Sequence, residues 1–139
     1  IQQGADLKEI TNNFYETGQE KQLQIFKRVI NGLEHFKERN LGVAFLKKED
    51  FIQTESAPKD LKFAFEKLSS GIFPFQNFLI LWEENSSPSF ARGVFYSSDD
   101  TQVKKIIMNY QGQQKGQGVL FKSEIQDLQK NRDNILNFL

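Results

Sequence analysis

Five consecutive apolar residues, FLILW at positions 78–82, constrain this chain more than any other stretch. A membrane-spanning helix needs about 20 apolar residues, so the run cannot span a bilayer. It is also too continuous for a strand with one face in water. The run therefore predicts a strand covered on both faces, at the centre of a sheet. Residues 90–97 (FARGVFYS) alternate in polarity and predict a neighbouring strand. Residues 41–46 (LGVAFL) and 119–121 (VLF) predict two more. Residues 51–55 also alternate and predict a strand returning from the first of these.

Helical periodicity fills most of the remainder. Leu7, Ile10, Phe14 and Tyr15 recur at helical spacing up to Gly18. Leu23, Phe26, Val29, Ile30, Leu33 and Phe36 form one stripe of a second helix, with Asn40 as its stop. Asp99 and Asp100 follow Ser98 as a helix start, because a Ser or Asp cap satisfies free amide donors. Val103, Ile106, Ile107 and Tyr110 then face inward. Ser123 is the expected cap of a last helix carrying Ile125, Leu128, Ile135 and Leu136. Residues 61–68 (LKFAFEKL) fit either element: Phe63 and Phe65 suit a strand, Lys62, Glu66 and Lys67 a helix.

This order predicts a single α+β domain over residues 1–139. Residues 1–40 form a helical N-terminal region, and residues 41–139 form a central mixed sheet of about five strands flanked by helices. At 139 residues, with 14 phenylalanines, the chain can bury one adequate core. It begins at Ile1 rather than Met, as a processed or partial chain would.

The chemistry expected of an enzyme is hard to find. Cysteine is absent, which removes disulfides and thiolate nucleophiles. His35 is the only histidine, and it falls within the stripe of the second expected helix, without partners for catalysis or zinc. No serine sits in a Gly-x-Ser-x-Gly turn. Glu83–Glu84 and Asp99–Asp100 read as a strand exit and a helix start rather than a metal site, so no metal and no cofactor is expected. The Gln/Gly-rich stretch 112–118 lacks the Gly-Lys-Ser/Thr phosphate signature and reads as a hairpin or crossover loop. With 18 acidic and 18 basic residues, no global field favours nucleic acid. The expectation is a cytoplasmic, monomeric, non-enzymatic domain whose partner is a protein.

Two stretches are similar to the actin-depolymerising-factor (ADF/cofilin) homology family. Within residues 78–100, Trp82, Pro88, Arg92, Phe95, Ser97, Ser98 and Asp100 fall in the family's order of strand, polar loop, strand, Ser-Ser and acidic helix start. Within residues 58–65, Pro58, Asp60, Lys62, Phe63 and Ala64 resemble its Pro-x-Asp-x-Arg-Tyr-Ala segment, with Lys for Arg and Phe for Tyr. The resemblance covers residues 58–110. It implies that 61–68 is a strand, that the fold is non-enzymatic, and that actin is bound through the helix after Ser98, at Lys104, Lys105 and Met108. The departures are a short connection between Phe65 and Phe78, a nearly absent helix before Pro58, and an enlarged helical start. They leave open the alternative of an accessory or regulatory interaction domain in a bacterial or organellar protein, with no actin role.

Overall fold

The computed structural model describes residues 20–71, 73–84, 90–124 and 127–139. The helix expected around Leu7 to Tyr15 lies outside them, as does Ile125.

The described elements are α1 (Glu20–Asn31), β1 (Glu34–Phe36), β2 (Leu41–Leu46), α2 (Lys48–Gln53), α3 (Leu61–Leu68), β3 (Asn77–Glu84), β4 (Phe90–Ser97), α4 (Asp100–Tyr110), β5 (Gln113–Lys115), β6 (Gly118–Ser123) and α5 (Leu128–Phe138). One six-stranded sheet runs in the order β1-β2-β3-β4-β6-β5. Among the described strands only β2 and β3 are parallel, and α2 and α3 lie in the crossover that a parallel pair requires. The fold is thus α+β with a mixed sheet, one strand richer than the expected five.

β3 is third in the sheet, and its residues 77–82 are all buried. Its alternation splits the core in two. Phe78, Ile80 and Trp82 face α1, α2 and α3, while Leu79 and Leu81 face α4 and α5. Helices therefore cover both faces of the centre, as the unbroken apolar run at 78–82 demands.

Four expectations need correction. Residues 61–68 are α3, not a strand: Leu61, Ala64, Phe65 and Leu68 stand at i, i+3, i+4 and i+7, and this stripe packs on the sheet. Pro58 opens a 3-10 turn whose Asp60 carboxylate accepts the Ala57 amide at 2.8 Å, which launches the helix. Residues 51–55 belong to α2 and its end. Asp50 accepts the Lys47 amide at 2.8 Å and pairs with Arg28 at 2.9 Å, so the turn is tied down as a helix start.

The second helix stops at Asn31. Residues 34–36 become edge strand β1, and Asn40 adopts a left-handed conformation (φ 50°) that returns the chain into β2. His35 therefore lies on a strand, with its ring 5.7 Å from that of Phe75. The last helix is capped by Asp127, which accepts the Gln129 and Lys130 amides, while Ser123 ends β6.

Candidate functional site

The site begins in an asymmetry of helical cover. On one face, α4 and α5 bury Leu79, Leu81, Phe95, Val119 and Phe121, which belong to three neighbouring strands. On the other face, α1 and α3 bury β2 and β3 but leave Val94 of β4 and Leu120 of β6 only half-buried. A groove of about 680 Å³ follows from this. Its floor is Leu61, Phe65, Trp82, Val94 and Leu120, and its rim carries Lys59, Lys62 and Lys115 against Glu66 alone.

Gly118 sets how α3 meets the strands. A Cβ there would lie 2.4 Å from the Phe65 ring. Its absence lets that ring lie on β6 while meeting Phe78 and Tyr96 edge-on, at 5.4 and 5.9 Å. The same helix then presents Leu61, Lys62, Phe65 and Glu66 to the groove as one wall.

Charge is organised around this floor although the chain is neutral overall. Among the described residues, Lys59, Lys62, Lys115 and Lys122 form no ion pair. Next to Trp82, Arg92 of β4 faces Lys122 of β6 directly. Like charges at facing positions are unfavourable. Two contacts offset this one. Arg92 pairs with Glu84 at 3.4 Å, and both cations lie over the Phe90 ring, at 5.2 and 4.3 Å. Glu84 also accepts the Trp82 indole N–H at 3.0 Å, and Glu83 accepts the Lys48 amide at 3.1 Å. These two carboxylates are half-buried and engaged, not simply a solvated strand exit.

Among the described residues, no three of His, Asp or Glu converge where they could hold a metal ion. Burial pushes the Tyr110 phenol above its ordinary value, but its ring packs 4.7 Å from Phe121 on the opposite face of the sheet. No described helix is long and apolar enough to cross a membrane.

No protein-family model and no curated protein matches the sequence. Among solved structures, the chain is similar in fold to an exopolyphosphatase-related protein from Bacteroides fragilis. The TM-score is 0.64 at 13% identity, over 85% of this chain and 33% of that one. The chain thus spans about a third of the length of the structure it matches.

The residues singled out from sequence lie elsewhere. Lys104, Lys105 and Met108 sit on α4, in the layer away from the groove. Met108 is 82% exposed, one turn beyond Lys104, whose ammonium pairs with Asp100 at 3.2 Å. Lys105 is half-buried. The residues 112–118 read as a hairpin or loop do form the β5–β6 hairpin, and they bring Lys115 and Gly118 to the groove. The groove itself left no mark in the sequence. Val94 and Leu120 alternate like any half-buried strand residues, and periodicity does not record whether a helix lies above them.

Proposed function

We propose that this chain is a non-catalytic protein-interaction domain, an accessory part of a larger protein, which docks its partner over the open half of the sheet. The observation that carries this reading is the apolar groove with its lysine rim. An apolar groove rimmed by polar residues is the kind of surface that takes a partner or a ligand. The match to only a third of the neighbour's length supports the accessory role. That neighbour is named exopolyphosphatase-related. In this reading the domain contributes docking and not turnover, so tripolyphosphate incubated with it stays intact.

The floor can be tested directly with 8-anilinonaphthalene-1-sulfonate, an aromatic anion that fluoresces on apolar surfaces. The native chain is expected to bind it saturably at one site. Leu120→Asp should abolish the enhancement and cost only about 1 kcal/mol of stability, because Leu120 is half-buried. A native chain that leaves the dye dark would mean that the floor is covered, and would end this reading.

A second reading rests on the exposure of Met108 beside Lys104 and Lys105. It is the actin binding that the ADF/cofilin resemblance implies, through α4. It expects cosedimentation with actin filaments at low salt, weakened severalfold by Lys104→Ala with Lys105→Ala and by added salt, as for exposed charges. A chain that stays in the supernatant at low salt removes it.

A further inference from the structure

The open strands are about as wide as one helix. The outer strands of the set β4, β6 and β5 are about 10 Å apart at the usual strand spacing. That is close to the diameter of one α-helix with its side chains. The opposite face shows what covers such strands in this fold, since α4 and α5 lie there across β3, β4 and β6. On the groove side, α3 reaches β6 at Gly118 through Phe65, and no described element lies across Val94 and Leu120 beyond it.

The chemistry of the rim narrows the occupant. The floor is aliphatic and aromatic, so an occupant must bring apolar side chains to exclude water from it. The free cations around it are lysines, which are point charges on flexible stems that reach over an apolar surface to meet carboxylates. Planar two-pronged recognition of phosphate is an arginine property. The arginine here, Arg92, is already held by Glu84 and stacked on Phe90. Strand addition is also poorly served. Edge strand β5 has three residues, all exposed and polar, with Lys115 on it.

We infer that the groove takes an amphipathic α-helix of a protein partner, with its apolar stripe flanked by Asp and Glu. This rests on reading the open half of the sheet as the docking surface. The apolar stripe would lie on Val94, Leu120, Trp82 and Phe65. The flanking carboxylates would meet Lys59, Lys62 and Lys115.

The test uses the full 139-residue chain, isotope-labelled for NMR. Two synthetic helical peptides share a leucine stripe, one flanked by Glu and the other by Lys. Sodium tripolyphosphate is the third probe. The Glu-flanked peptide is expected to bind and to shift the resonances of Val94, Leu120 and Phe65. Lys62→Glu with Lys115→Glu should weaken it about tenfold and let the Lys-flanked peptide bind instead, because rim charge selects partners by sign.

Any of these outcomes overturns the inference: equal binding of both peptides, shifts centred away from the groove, no shifts with millimolar Glu-flanked peptide, or tripolyphosphate saturating these residues where the peptide does not. Contacts to Leu120 from residues 1–19, or from a second copy of the chain, in the peptide-free sample would do so as well. If the peptide fails while the dye still binds, the docking surface survives and the acidic helix does not. If both fail, the surface itself is wrong.

Discussion

Phe78→Ala is expected to lower the free energy of unfolding by about 3–5 kcal/mol, the range for removing a fully buried aromatic ring. Phe78 is 1% exposed, near the start of the central strand β3. Its ring stacks on Tyr96 at 5.1 Å and meets the edge of Phe65 at 5.4 Å. It therefore joins the central strand to β4 and α3 at once. Aromatic pairs in such geometry contribute beyond the area they bury.

The neighbours cannot close the space easily. Phe65 already lies on Gly118, and Tyr96 donates its hydroxyl to Gln117 at 2.9 Å. A domain of this kind has only about 5–15 kcal/mol in total, so the loss would take a large share of it. Urea unfolding at 25 °C checks this, with the denaturant slope unchanged if two-state behaviour holds. A loss below about 1 kcal/mol would mean that the site collapses around the missing ring. The same variant loosens the Phe65 wall, so dye binding in the groove should weaken along with stability.

The parts of the fold that were legible in the sequence are those where one physical demand dominates. The run at 78–82 lies within β3, and residues 90–97 coincide with β4. Burial on two faces leaves an unbroken apolar run, and burial on one face leaves an alternation eight residues long in β4, longer than the five residues that misled at 51–55. Asp99 caps α4 by accepting the Thr101 amide at 3.0 Å, as a carboxylate before an apolar stripe should. Misreadings occurred where two demands overlap. In residues 61–68 the two phenylalanines two apart look like a strand face, but Phe63 packs edge-on against Phe26 of α1 while Phe65 meets the sheet. One helix thus uses phenylalanines on two sides.

At residues 33–36 the helical stripe of α1 runs on in register after the helix has ended, because Leu33 still packs on the same core as Phe26. The strand there depends on β2 beside it, a pairing invisible to local periodicity. The groove was unreadable for a related reason: exposure of Val94 and Leu120 depends on how far α3 reaches across the sheet, and its seat there is the Phe65 ring on Gly118, more than fifty residues away in the chain.

The second large effect lies in a polar junction that the hydrophobic pattern does not reveal. Asn77→Leu is expected to cost about 2–4 kcal/mol, since each buried polar group left without a partner costs about 1–3 kcal/mol. Asn77 is the first residue of β3, and its amide group donates to the carbonyls of Arg39 and Asn40 at 3.1 and 3.2 Å. Its side-chain oxygen accepts from the buried Ser97 hydroxyl at the end of β4, and Ser97 in turn accepts the Asp99 amide at 2.9 Å. One side chain therefore joins the turn before β2, the start of β3, the end of β4 and the cap of α4. Leucine has a similar volume, so the loss would come from unpaired polar groups and not from a cavity.

A double-mutant cycle separates the two halves of the junction. Ser97→Ala alone strands the Asn77 oxygen. With Leu already at 77, removing the hydroxyl should cost less than it does alone, giving a coupling of about 0.5–3 kcal/mol. Additive losses would mean that the Asn77–Ser97 contact contributes nothing, and that the lost bond to the Arg39 carbonyl carries most of the effect, since the Asn40 carbonyl keeps the Asn77 backbone amide at 3.0 Å.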